Sequence, residues 1–292
     1  MTLRRILLSL ALASAFSLLP VLPATADEGS FEKDAGGRTL LALGDSVAFG
    51  YSPLLDFRDA SNFVGYPEVV ARRLHLRDVN ASCPGEATGG FLSLTGTDNG
   101  CRTYRFVFGF PLHVSYAGTQ MDFAVDYLRS HRDVRLVTID LGANDAFVLQ
   151  RLCGLTPDAS ACVTAHLPAL LATIRANLST IFSELRGAGH YRGRLVTLTY
   201  YSLAYDPATA AMTQQLNQPI IEATRAFDGI VASGFDAFKP GALAAGGSSC
   251  AAGLLIALPT GGCDVHPTPA GRDLLAHAIL EAVEREDRDW AA

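Results

Sequence analysis

A mainly parallel β-sheet covered by helices on both faces is the fold class that the sequence predicts. Three observations lead there. Short apolar runs such as Thr39–Leu43 and Val134–Leu141 suit strands buried on both faces. Segments with helical spacing lie between them, as in Tyr66–Leu76 with Val69, Val70 and Leu74,. Strands that alternate with helices belong to βαβ units. No internal repeat and no linker interrupts the pattern, so a single domain is expected over residues 38–292.

The elements follow in chain order. Thr39–Leu43 is a buried strand ending at Gly44, a turn signal,. Tyr66–Leu76 is a helix. Asp78-Val79-Asn80 is a short strand before Cys83-Pro84-Gly85, and a loop-rich insertion runs from Gly89 to Gly118. Its Tyr104, Phe106, Phe108 and Phe110 alternate and share one face if that stretch is extended,. Thr119 suits an N-cap for a helix over Met121–Ser130,. Val134–Leu141 is the clearest buried strand. Pro168–Arg186 reads as a long helix ending at Gly187,. Arg194–Tyr201 reads as a strand, Ala208–Val231 as a helix interrupted at Pro219, and Phe235–Phe238 as a weak strand,. Pro269–Val283 closes the chain as a helix with proline at its start,.

Residues 1–26 have another character. Arg4 and Arg5 precede an apolar run from Ile6 to Leu19, and Ala24-Thr25-Ala26 follows Pro20 and Pro23. A basic segment, an apolar segment and an Ala-x-Ala site make a secretory signal peptide, with a retained anchor as the alternative. Residues 27–37 are polar and glycine-rich, a flexible lead-in. Pro168–Leu185 holds Arg175, Asn177 and Glu184 and reads as amphipathic, so no later segment is expected to enter a bilayer,. The full chain carries a formal charge of −6, and removal of Arg4 and Arg5 makes it −8. An acidic chain without a basic cluster does not suit nucleic acid. A secreted or periplasmic monomer is the expectation.

Six cysteines remain after the leader. An even count behind a signal peptide points to disulfides. Their clustering favours Cys83–Cys101, Cys153–Cys162 and Cys250–Cys263. No pair has the Cys-x-x-Cys spacing of a zinc site, and no metal is expected. Each bond would tether a loop that carries or adjoins one of the candidate site residues below.

Those residues follow the strands. Ser46, in Gly44-Asp45-Ser46, sits at a strand-to-helix turn on the carboxyl edge of the sheet, where open parallel sheets place their sites,. Cys83-Pro84-Gly85 follows the second strand, and a glycine there lets its N–H approach a substrate oxygen,. Asn144, in Gly142-Ala143-Asn144-Asp145, follows the strongest strand and can donate its amide to an oxyanion,. His266, in Asp264-Val265-His266-Pro267, lies before the last helix with a carboxylate neighbour. A histidine beside a serine hydroxyl removes its proton during attack and returns it to the leaving group.

In these four blocks, taken in order, the chain resembles the SGNH or GDSL hydrolases over about residues 39–284. The resemblance implies a flavodoxin-like three-layer α/β/α fold, the SGNH hydrolase fold, with a five-stranded parallel sheet in the order 2-1-3-4-5. It implies cofactor-free, metal-independent ester hydrolysis through an acyl-enzyme. Ser46 would be the nucleophile and His266 the base. The Ser46 N–H, the Gly85 N–H and the Asn144 side chain would hold the oxyanion. The family usually places its acid three residues before the histidine, where this chain has Cys263. Asp264 lies two before. Either the Asp264 carboxylate or the Cys263 main-chain carbonyl would orient His266. The substrate would be an acyl or acetyl ester, taken by an esterase or lipase, a phospholipase or a carbohydrate deacetylase. A binding protein that kept the fold would lack one of the catalytic groups. Gly44-Asp45-Ser46-Val47-Ala48 lacks the final glycine of Gly-x-Ser-x-Gly, which argues against the α/β-hydrolase fold,. No phosphate loop or dinucleotide fingerprint is present.

Overall fold

The computed structural model describes residues 37–291. The leader expected over 1–26 and nearly all of the lead-in expected over 27–37 lie outside the described residues. Five strands form the central sheet: β1 (Thr39–Gly44), β2 (Arg77–Asn80), β3 (Val134–Asp140), β4 (Arg194–Thr199) and β5 (Ile230–Ser233). Their order is β2-β1-β3-β4-β5, and every pairing is parallel. Alternate residues of one strand serve the two faces. Leu40 and Ala42 enter one core, Leu41 and Leu43 the other.

The helices are α1 (Ser46–Phe49), α2 (Tyr66–Leu74), α3 (Thr88–Leu92), α4 (Gln120–Ser130) and α5 (Ala143–Cys153), then α6 (Ala159–Arg186), α7 (Pro207–Ala226), α8 (Gly234–Ala244) and α9 (Pro269–Ala291). Tyr66 and Val70 of α2, Phe235 and Phe238 of α8, and Leu275 and Ile279 of α9 fill the core on one face. Met121 and Leu128 of α4, Leu178 and Phe182 of α6, and Ile220 of α7 fill the other. This is a three-layer α/β/α arrangement. A two-stranded antiparallel ribbon, β6 (Leu255–Ala257) with β7 (Cys263–Pro267), lies outside the sheet.

Four expectations are corrected. The fifth strand is Ile230–Ser233, and Phe235–Phe238 is helical. Helix α7 stops at Ala226, before Asp228 with its left-handed backbone (φ 52°). Ser233 then caps α8, its hydroxyl accepting the Asp236 N–H at 3.0 Å, and Phe235 and Phe238 share the helix's buried face,. Second, α6 begins at Ala159, well before Pro168. Asp158 caps it, and the Cys153–Cys162 bond ties its first turn to the end of α5. Third, at 28 residues α6 is long and apolar enough, by length and composition, to cross a membrane. Its buried Ile174, Leu178, Ile181, Phe182 and Leu185 pack into the domain core. Fourth, Thr103–Val107 is a wide helical turn, so the four alternating aromatics do not share a face. Phe110 packs with Phe49 and Phe63, whereas Phe106 and Phe108 are exposed.

The structure joins Cys83 to Cys101, Cys153 to Cys162 and Cys250 to Cys263. The first bond closes the loop between β2 and the aromatic turn. The third ties β7 to the segment after α8.

Two carboxyls stand in and near β2: the half-buried Asp78 within the strand and the buried Glu86 beyond its end. Burial pushes Asp78 up to about 8, aided by the neighbouring Glu68 carboxylate,. Burial also pushes Glu86 up to about 8, with Asp98 adding to the effect. The folded chain therefore keeps the Glu86 proton through a window in which the unfolded chain has lost it. That contribution is fully present below the ordinary glutamate range and is lost as the pH rises through about 8. Glu86→Gln keeps the neutral form at every pH. The melting temperature of this variant, relative to the unaltered chain, is expected to rise between pH 5 and pH 9. A difference that does not change with pH contradicts the assignment.

Candidate active site

The site is built at the carboxyl edge of the sheet. Strand β1 ends at Gly44, whose φ of +136° is open to glycine,. A Cβ there would lie 2.3 Å from Asp140 Oδ1. The Gln120 side chain grips this glycine from the other side. Its Oε1 accepts the Gly44 N–H at 2.7 Å, and its Nε2 donates to the Gly44 carbonyl at 2.9 Å. Asp45 then caps α1 by accepting the Val47 N–H at 2.9 Å. Ser46 is the first residue of that short helix and lines an open cleft.

His266 reaches the same point from β7. Its Nε2 lies 2.7 Å from Ser46 Oγ, and its Nδ1 contacts Asp264 Oδ1. The same carboxylate oxygen accepts the His266 backbone N–H at 3.0 Å. Two residues apart on an extended segment, Asp264 and His266 project to one face. The acid thus reaches the ring from the nearer position as well. Hydrogen bonding to His266 holds the Asp264 carboxyl below the usual carboxylate range. The Tyr201 hydroxyl donates to the Val265 carbonyl at 2.6 Å and fixes the segment between them. The Tyr51 ring meets the imidazole edge-on, with centroids 4.9 Å apart.

Gly85 and Asn144 line the cleft beside Ser46. Gly85 has φ +83°, and a Cβ on it would stand 3.0 Å from the Asn99 carbonyl. Asn144 is buried in the first turn of α5. Its Nδ2 donates to Asp45 Oδ2 at 3.1 Å, and its Oδ1 accepts from Asn99 Nδ2 at 2.8 Å. Asp45 Oδ2 also accepts the Tyr200 hydroxyl at 2.7 Å. Burial raises the Asp45 carboxyl against these accepted bonds,. Asp140 is raised far more, by burial and then by the charge of Asp45.

Several of these residues escape a reading of the sequence. Tyr200 and Tyr201 follow β4 at the carboxyl edge, so the rule that singles out the ends of β1 and β3 also covers them. Gln120 and Asn99 carry no local signal, because their partners are far away in the chain. Among the described residues, Cys153, Cys162 and His166, and Cys83, Glu86 and Cys101, are close enough to share an ion. In both groups the sulfurs are joined as disulfides, so neither offers a thiolate.

Comparison with solved structures places this fold beside several hydrolases. A phospholipase A1 from Streptomyces albidoflavus is similar with a TM-score of 0.57 and 19% identity, over 84% of this chain and 98% of that one. An acetylxylan esterase from Geobacillus stearothermophilus is similar with a TM-score of 0.52 and 18% identity, over 85% and 94%. An alpha/beta hydrolase enzyme from the Lake Arreo metagenome is similar with a TM-score of 0.51 and 17% identity, over 84% and 94%. A search of curated protein sequences finds no match. The model of the GDSL-like lipase/acylhydrolase family matches residues 42–274, and the chain belongs to that family.

Proposed function

We propose that this protein is an exported carboxylic ester hydrolase that works through an acyl-enzyme on Ser46. The single observation that carries the reading is the continuous line from Ser46 Oγ through His266 to Asp264. His266 Nε2 takes the Ser46 proton as Oγ attacks the ester carbonyl. Asp264 accepts from Nδ1 and stabilises the imidazolium that forms. The Ser46 and Gly85 N–H groups and the Asn144 amide hold the oxyanion. His266 then protonates the leaving alcohol. In the second half it takes a proton from the water that attacks the acyl carbonyl and returns it to Ser46 Oγ as the acyl–oxygen bond breaks. Three disulfides favour an oxidising compartment, outside the cytoplasm,.

The cleft supports an acyl substrate rather than an acetylated glycan. It holds about 660 Å³ and runs from Ser46 between α5, α6 and α7. Phe147 and Leu149 come from α5. Val163, Leu167 and Leu170 form one stripe of α6, and Met212 and Leu216 one stripe of α7,. An aliphatic chain in this channel releases water from apolar walls, and each added methylene contributes about 0.8 kcal/mol when buried. Among the similar folds are a phospholipase A1 and an acetylxylan esterase; the apolar channel favours the first kind of substrate.

Four outcomes are expected. Ser46→Ala lowers kcat on p-nitrophenyl esters by about 10⁶-fold; wild-type turnover by this variant contradicts the nucleophile. Asp264→Asn lowers kcat by about 10⁴-fold, and a loss below about tenfold removes Asp264 from the triad. Across p-nitrophenyl esters from acetyl to palmitoyl, kcat/KM rises with chain length before it levels off. Leu167→Trp removes that rise and leaves acetyl hydrolysis within about threefold of the unaltered enzyme. Faster release of acetate from acetylated xylan than of any longer acyl group contradicts the acyl reading.

A further inference from the structure

Behind the Asn144 amide runs a chain of polar groups with no part in the chemistry above. Arg151, in the last turn of α5 and exposed, donates from its guanidinium to Asn99 Oδ1 at 2.6 Å. Asn99 Nδ2 donates to Asn144 Oδ1 at 2.8 Å, and Asn144 Nδ2 donates to Asp45 Oδ2 at 3.1 Å. The two ends of this chain have fixed polarity. A guanidinium only donates, so Asn99 must turn its oxygen to Arg151 and its NH₂ to Asn144. At the other end, Asp45 accepts from Val47, Tyr200 and Asn144. Asn144 is thus compelled to offer oxygen to Asn99 and NH₂ to the side of Asp45 and Ser46. One of its two amide protons goes to Asp45, and the other is left for the cleft.

A rotated Asn144 amide would have nearly the same shape and the opposite chemistry. It would set Oδ1 against Asp45 Oδ2 and present an acceptor where an oxyanion needs a donor. We propose that Arg151 and Asn99 are positioning residues that hold the Asn144 amide in its donating orientation. The proposal rests on the reading of Asn144 as an oxyanion donor. Asn99 has a second link to the same pocket, since its backbone N–H donates to the Gly85 carbonyl at 3.0 Å. One residue therefore steadies two of the three groups assigned to the oxyanion.

The test measures kcat and KM on p-nitrophenyl butyrate, together with melting temperature, for Asn144→Ala, Asn99→Asp, Arg151→Ala and Arg151→Lys. Asn144→Ala is expected to lose about 10²–10³-fold in kcat. Asn99→Asp cannot donate to Asn144, and its kcat is expected to fall on the order of 10²-fold at nearly constant KM. Arg151→Ala is expected to lose about tenfold, and Arg151→Lys, which keeps a pure donor, to recover most of it. In the Asn144→Ala background, Asn99→Asp is expected to cost nothing further. If Asn144→Ala is impaired while Asn99→Asp and Arg151→Ala keep full kcat, the positioning role is wrong and the oxyanion reading stands. If Asn144→Ala itself turns over normally, both fall. Losses that add fully in the double variant also overturn the proposal. Arg151 is exposed, so its two variants decide the matter even if Asn99→Asp does not fold.

Discussion

Gly44 lies so close against Asp140 that a single methyl group cannot stand between them. The parallel register of β1 and β3 sets these residues side by side at the carboxyl edge. The chain then leaves the sheet through a backbone conformation open to glycine and turns at once into α1. Ser46 is two residues beyond that point, so its hydroxyl is raised above the edge rather than buried in the sheet. The Gln120 amide completes the constraint. It pairs with both backbone groups of Gly44, and the Cys83 N–H donates to the same carbonyl, so the end of β1 is held from several elements.

The electrostatics follow from the same corner. Burial raises both Asp140 and Asp45, the residue next to Ser46. Asp45 draws together the Val47 N–H, the Tyr200 hydroxyl and the Asn144 amide, and so shapes the wall of the cleft. A buried carboxylate is tolerable only with such a set of donors. The outer wall is apolar, made by stripes of α5, α6 and α7. The Cys83–Cys101 bond encloses the loop that holds both Gly85 and Asn99, and Cys250–Cys263 anchors the ribbon next to Asp264. Loops tied in this way keep reacting groups near their working geometry, which lowers the entropy lost on reaching the transition state.

Much of this is legible in the sequence, and the reasons are local. Strands β1 and β3 are mostly apolar and buried, and Ser46 and Asn144 follow them within a few residues. The strand order comes from the family resemblance, which the sheet matches. The misread elements also have local causes. Ile230–Ser233 is four residues long and directly abuts α8, and its first two residues read as the end of the preceding helix. Pro168 looks like a helix start because proline favours the first turn, while the real start lies at the Asp158 cap. The question over Asp264 comes from comparing its spacing with that of the family; the two-residue period of an extended strand puts Asp264 on the same face as His266, in contact with its ring,. Gln120, Asn99 and Arg151 cannot be read at all. Their partners lie tens of residues away, and only the folded sheet edge brings them together.

In the proposed reaction Ser46, activated by His266 beside an apolar channel, is the group that becomes acylated. Alkyl p-nitrophenyl phosphonates probe all parts of that assignment, since they leave a stable adduct on the attacking residue. Inactivation of the purified protein by the decyl and ethyl compounds, followed by peptide mass spectrometry, is the direct measurement. One adduct per chain is expected, on the peptide containing Ser46, formed faster by the decyl compound. An adduct on another residue, or activity that survives saturating reagent, would contradict the assignment.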